Sequence, residues 1–167
     1  MSRLIGLLLG ALALLSPSAF AQDYPSRTIT LVVPLAPGTG MDIIARLYGE
    51  RLAQRFGRPV IVENRPGAAS NLGTEMVFKS PPDGYTLLVS PPGPLAISQH
   101  VYTKLGFDPS QFVPVSELVR FPFLLIANNN FPVSSLGELI TRAKANPDKV
   151  TFATPGVSST PHLTMTE

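Results

Sequence analysis

A run of six β-branched and apolar residues, Thr28-Ile29-Thr30-Leu31-Val32-Val33, passes directly into a loop, Pro34-Leu35-Ala36-Pro37-Gly38-Thr39-Gly40, and a helical pattern follows at once. This order constrains the fold more than any other feature of the chain. A strand without polar alternation is covered on both faces, and covered strands joined by helices lie side by side in a parallel sheet. The spacing predicts a helix from about Met41 to Phe56. Ile44, Leu47, Tyr48, Leu52 and Phe56 share one face of it, and Gly57 stops it. A second strand is expected over Pro59-Val60-Ile61-Val62-Glu63.

The unit then repeats. The loop Asn64–Ser70 leads to a helix expected near Asn71–Lys79, the turn Pro81-Pro82-Asp83-Gly84 follows, and Tyr85–Val89 reads as a third strand. A short helix is expected near Leu95–Tyr102. Two more strands are expected at Phe123–Ala127 and Val150–Thr154. Between them Ser135-Leu136-Gly137-Glu138 forms a capping box for a helix ending before Pro147. Pro161-His162-Leu163-Thr164 reads as the first turn of a last helix. Alternating strands and helices imply right-handed crossovers and an α/β fold, its mostly parallel sheet carrying helices on both faces. The 18 prolines suit many rigid turns between short elements. A strand, a loop and about two helical turns are not a finished sheet edge, since an open apolar edge invites aggregation.

The first residues carry a different signal. Arg3, the apolar stretch Leu4–Leu15 and the small-x-small site Ala19-Phe20-Ala21 have the pattern of a secretory signal peptide over residues 1–21, leaving Gln22 as the mature start. Export is therefore expected. Removing Arg3 reduces the 13 basic and 11 acidic residues to 12 and 11, a net charge of +1. Arg46, Arg51, Arg55 and Arg58 spread along one helix and its exit without forming a stripe, so no nucleic-acid partner is expected. The chain has no cysteine, which removes disulfides, thiolate metal sites and a cysteine nucleophile, and leaves an exported fold to its core alone.

Three strand-to-helix loops can carry chemistry: Pro37–Asp42, Pro66–Asn71 and Pro155–His162. Ligands of open α/β sheets bind outside the carboxyl ends of the strands. Unpaired N–H groups at a helix start receive anions without a cationic side chain. Gly38-Thr39-Gly40-Met41-Asp42 is not a nucleotide fingerprint, because Ile43 stands where G-x-G-x-x-G requires glycine. Thr39 suits an N-cap. Asp42 suits the first helical turn as a cap or a loop-orienting group, and equally a contact to a ligand amide or water. Ser70 and Asn71 divide in the same way between capping and ligand contact, as do Ser158, Ser159 and Thr160. His162 beside Pro161 suits a structural, hydrogen-bonded histidine as well as a ligand contact. His100 and His162 lack metal-ligand spacing, the motifs of serine hydrolases and zinc proteases are absent, and Asp42, Glu63 and Asp83 are scattered. No nucleophile is paired with a base, and neither a metal nor a cofactor is expected.

These loops, in this order, carry a resemblance. Val33-Pro34-Leu35-Ala36-Pro37-Gly38-Thr39-Gly40-Met41-Asp42-Ile43-Ile44-Ala45-Arg46 resembles the opening loop of the Bug family, the periplasmic receptors of tripartite tricarboxylate transporters. Val62–Ala68, Pro82–Leu88 and Phe152–Ser159 with His162-Leu163 are similar to its later signatures, so the resemblance covers roughly residues 24–167. It implies a two-lobed, periplasmic binding protein-like fold (a Venus flytrap) that closes as a monomer around a small carboxylate. Loop backbone and ordered water hold most of that carboxylate, and membrane components of a transporter are the partners. The site residues it implies are Gly38, Thr39, Gly40 and Asp42; Ala69, Ser70 and Asn71; Ser90; and Ser158, Ser159 and His162 from the other lobe. The family often has a second glycine at the position of Thr39, and glycines at Ala69 and Ser70. Its chains are about twice as long, which implies a first lobe over 22–124 and the start of a second over 125–167, both incomplete. A non-functional fragment and an exported α/β enzyme are the rival expectations.

Overall fold

The computed structural model describes residues 24–166. The expected signal peptide lies outside them. Strand β1 (Ile29–Val33) is the centre of a three-stranded parallel sheet in the order β2-β1-β3, with β2 at Val60–Asn64 and β3 at Thr86–Leu88. Ile29 lies opposite Val60, Val33 opposite Asn64, and Thr30 opposite Thr86. Ile29, Leu31, Val32 and Val33 are all buried, as a run without polar alternation requires. Ile29, Leu31 and Val33 share a core with Ala45 and Val89.

Helix α1 (Gly40–Phe56) follows β1, and α2 (Asn71–Phe78) follows β2 after a 3₁₀ turn at Ala68–Ser70. α1 packs on β1 and β2, and α2 packs on β1 and β3. Val32 points away from the side that Leu31 shares with Ala45, as strand alternation dictates. After β3, a wide helical turn at Gly93–Ile97 runs into α3 (Ser98–Val101), and a 3₁₀ turn at Pro109–Gln111 follows. Phe78, Phe107 and Phe112 form an aromatic cluster with centroids 5.7–6.4 Å apart. Helices α4 (Leu136–Ala145) and α5 (Thr160–Thr166) complete the order.

Two expectations fail. The face expected to anchor α1 is not the one it buries. Leu47, Tyr48 and Phe56 remain exposed, while Ala45 and Gly49 meet the sheet. A methyl group on Gly49 would lie 3.5–3.7 Å from Leu31, Val60 and Val62, so small residues let the helix axis come close and turn its large residues aside. Tyr48 instead donates to the Leu118 carbonyl at 3.2 Å.

The second failure is larger. Phe123–Ala127 and Val150–Thr154 are not strands. Both have strand composition, but neither lies beside a ladder partner among the described residues. Leu124 and Ile126 are 83% and 85% exposed. A β-strand is defined by its neighbour, so a suitable sequence without one stays merely extended.

The expected capping box forms with a shift. Ser135 Oγ accepts from the Glu138 N–H at 3.2 Å, but Glu138 reaches one residue further back, accepting from the Ser134 N–H at 2.7 Å and its hydroxyl at 3.0 Å.

Candidate functional site

The carboxyl ends of the three strands place the first two loops and Ser90 at one edge of the sheet. In the first loop Thr39 caps α1. Its Oγ1 accepts from the Asp42 N–H at 3.4 Å and donates to the Ala36 carbonyl at 2.9 Å. Asp42 is 3% exposed and fully engaged. Its carboxylate accepts from the Gly38 N–H at 2.9 Å, from Arg46 Nε at 3.1 Å and from Asn64 Nδ2 at 2.9 Å, and an ion pair to Arg46 closes at 3.0 Å. The Arg46 guanidinium, then the Gly38 N–H and the Asn64 amide, hold its carboxyl down at about 2. Asn64 also donates to the Leu35 carbonyl at 3.1 Å and accepts from Arg46 at 3.0 Å.

Asp42 is therefore the group that orients the loop, and the Gly38 N–H is spent on it. The remaining donors can be counted. Thr39 N–H goes to the Ala36 carbonyl and Ile43 N–H to the Thr39 carbonyl. The N–H groups of Gly40 and Met41 meet no acceptor among the described residues.

The second loop is strained. Ala68, Ala69 and Ser70 follow one another at φ 47°, 52° and 75°, in the left-handed region that ordinary residues avoid. Ser70 is buried without capping α2 by its side chain, and its carbonyl accepts from Thr74 Oγ1 at 2.9 Å. Asn71 Oδ1 accepts from Ser98 Oγ at 2.8 Å, a buried bond that ties α2 to α3. Ser90 donates to the adjoining Pro91 carbonyl at 2.9 Å.

The third loop presses against these through Pro155–Ser159. A Cβ on Gly93 would lie 2.7 Å from the Ser158 carbonyl oxygen, and one on Gly156 would lie 2.7 Å from the Ala69 Cβ. Only glycine permits both approaches. Ser158 is wholly buried, and its hydroxyl has no hydrogen-bond partner. Such a hydroxyl costs about 1–3 kcal/mol until something accepts from it or donates to it. Ser159 Oγ donates to the Gly156 carbonyl at 2.6 Å and accepts weakly from the His162 N–H at 3.4 Å. His162 Nδ1 lies 3.1 Å from Thr154 Oγ1, and its ring lies 5.8 Å from that of Phe152.

The loop with Ser158 thus meets the loops of Ala69 and Gly93, whereas Gly38–Asp42 stands on its own network, with the Phe121 ring beside Gly40. A cavity of about 720 Å³ along α4, from Pro132 to Asn146, includes none of these loops, and neither does the apolar groove between Leu47, Tyr48 and Leu118. Among the described residues no group of three or more His, Asp or Glu side chains could hold a metal ion. Arg46, Asn64, Thr74 and Ser98 organise the loops and were not foreseen. The four-residue spacing of Asp42 and Arg46 on one helix was the available signal for the first of them.

Three comparisons bear on this geometry. The family model described as "Tripartite tricarboxylate transporter family receptor" matches residues 44–167. Protein BugT of Bordetella pertussis is 36% identical over 161 residues, which are 95% of this chain and 49% of BugT. Among solved structures, R. palustris Rpa4515 with adipate superposes with a TM-score of 0.80 at 37% identity, over 86% of this chain and 48% of that one. The periplasmic binding protein BugD superposes with a TM-score of 0.70 at 31% identity, over 86% and 48%. The fold is accordingly periplasmic binding protein-like, and the chain spans about half the length of the curated relatives it matches.

Proposed function

Since the chain belongs to the tripartite tricarboxylate transporter receptor family, we propose that it is a solute-binding protein which takes up a small carboxylate at the loops that end β1, β2 and β3. The observation that carries this reading is Ser158. Its buried, unpartnered hydroxyl lies where the Pro155–Ser159 loop meets Ala69 and Gly93, so a donor or acceptor awaits a polar group at that junction. The unpaired N–H groups of Gly40 and Met41 at the start of a 17-residue helix supply the complementary charge preference. Ser70 and Asn71 act by shaping the second loop, and Asp42 by holding the first. The division into a first lobe over 22–124 and the beginning of a second over 125–167 belongs to the same reading. So do residence in the periplasm, action as a monomer and delivery to membrane components of a transporter.

Catalysis finds no support here. His162 is held by Thr154 and Ser159, and no base reaches the Ser158 hydroxyl.

Calorimetric titration with adipate and with its neutral diamide, adipamide, tests the reading. Adipate is expected to bind and adipamide to bind at least tenfold more weakly, because the site offers donors to a carboxylate rather than to an amide. Ser158→Ala is expected to weaken adipate about tenfold, the loss of one net hydrogen bond to a charged group. If adipate and other small carboxylates all fail to bind at millimolar concentration, the reading is wrong.

A further inference from the structure

Phe121 lies in the extended segment between the 3₁₀ turn at Pro109–Gln111 and α4, and its side chain turns towards the first loop. A Cβ on Gly40 would lie 3.5 Å from the ring's Cζ and 3.8–3.9 Å from its two Cε atoms. Gly40 has only a hydrogen there, so the ring stands over bare backbone at one of the two residues with unspent N–H groups. The ring is 50% exposed and stacks on none of the other aromatic side chains described.

We infer that Phe121 is the specificity-determining side chain of the site, favouring a carboxylate whose adjoining carbons are unsubstituted methylenes over one whose carbons carry hydroxyls. The inference rests on the carboxylate reading above and adds the class of ligand. The argument is one of adjacency. A carboxylate received by the Gly40 and Met41 N–H groups brings its neighbouring carbons beside the ring. Methylenes against an aromatic ring leave water favourably. A hydroxyl in the same place gives up its water without a partner, since a phenyl ring neither donates nor accepts a full hydrogen bond. The polar side chains nearby are already engaged: Thr39 in its cap, and Asp42 with Gly38, Arg46 and Asn64. They offer a sugar-acid hydroxyl no replacement. Discrimination in an apolar contact of this kind is roughly tenfold.

The probes are adipate and galactarate, six-carbon dicarboxylates with the same spacing between their carboxylates, the second bearing four hydroxyls. Titrating the chain with each is expected to show adipate bound about tenfold more tightly. Phe121→Ala is expected to bring the two within about threefold, through weaker adipate binding, while Phe121→Leu keeps most of the preference because any apolar side chain serves. An unchanged ratio in Phe121→Ala, or equal binding of both probes by the unaltered chain, overturns the inference and leaves the carboxylate reading standing. Binding of neither probe overturns the inference, and the carboxylate reading falls with it only if the other small carboxylates also fail to bind.

Discussion

Residues 24–112 and residues 113–166 are written in the same α/β pattern, yet they differ in what they bury. The first region contains every buried apolar residue of the core, from Ile29 to Phe107. In the second, Ser158 is the only buried residue, and it is buried by lodging against Gly93 of the first. The runs Thr28–Val33 and Phe123–Ala127 are comparably apolar. One is the middle of a sheet and the other is an exposed extended segment. Hydrophobicity makes a strand possible, but a neighbour on each side makes it one. β1 has β2 and β3, while Phe123–Ala127 has no ladder partner among the described residues.

The sharpest way to break this comparison is to remove equivalent side chains from the two runs. Leu31 is 4% exposed and Leu125 is 54% exposed. Leu31→Ala is expected to cost about 3 kcal/mol, since the cavity beneath α1 cannot collapse without moving the helix. Leu125→Ala is expected to fall within about 0.5 kcal/mol of the unaltered chain. Urea denaturation followed by far-UV circular dichroism measures both. Equal costs would show that the second region is packed in solution, and the contrast would have to be abandoned.

The same contrast marks how far the sequence could be read. The order β1-α1-β2-α2-β3, the Thr39 cap and the loops at the strand ends were legible, because each rests on local signals: an apolar run, a Pro/Gly break, a hydroxyl before a helix. Non-local facts were hidden. Nothing in Phe123-Leu124-Leu125-Ile126 states whether a partner strand lies alongside. The buried stripe of α1 was misread because burial follows how closely the helix sits on the sheet, and Ala45 and Gly49 set that distance. Asp42 was placed correctly at the start of a helix, but its partners Arg46 and Asn64 needed the parallel register that brings Asn64 level with Val33. Ser158 was legible as a candidate contact but its burial was not, because that depends on Gly93, and Phe121 was beyond reach because its contact depends on the course of an irregular segment.

Asp42 offers a test of intermediate size that acts on the first region alone. Its carboxyl is held down at about 2 in the folded chain, against an ordinary value of 3.8. A group whose folded value lies below its unfolded value binds fewer protons when folded, so it stabilises fully above about pH 4 and ceases to do so as the pH falls towards 2. The unfolding free energy should decline across that window. Asp42→Asn should flatten the decline and cost about 2 kcal/mol at neutral pH, since it leaves Arg46 and the Gly38 N–H with a weaker acceptor. Melts at stepped pH decide it. An unaltered slope in Asp42→Asn would assign the acid sensitivity to other carboxylates and reduce the network to a surface ion pair.

The smallest effect expected is a gain, and it lies at the seam between the two regions. Ala69 is held at φ 52° between two other left-handed residues. A left-handed residue with a Cβ costs about 1–2 kcal/mol relative to a right-handed one, and glycine avoids most of that. Against this stands the extra freedom glycine gives the unfolded chain, roughly 0.5–1 kcal/mol. Ala69→Gly also removes the methyl group that faces Gly156 across the seam. The balance is a stabilisation of about 0.5 kcal/mol, readable as a rise in Tm of about 1–2 °C for a chain of this size. A loss of stability would mean that the methyl contact between Ala69 and the Pro155–Ser159 loop outweighs the strain. The seam, rather than the sheet, would then be what keeps the second region in place.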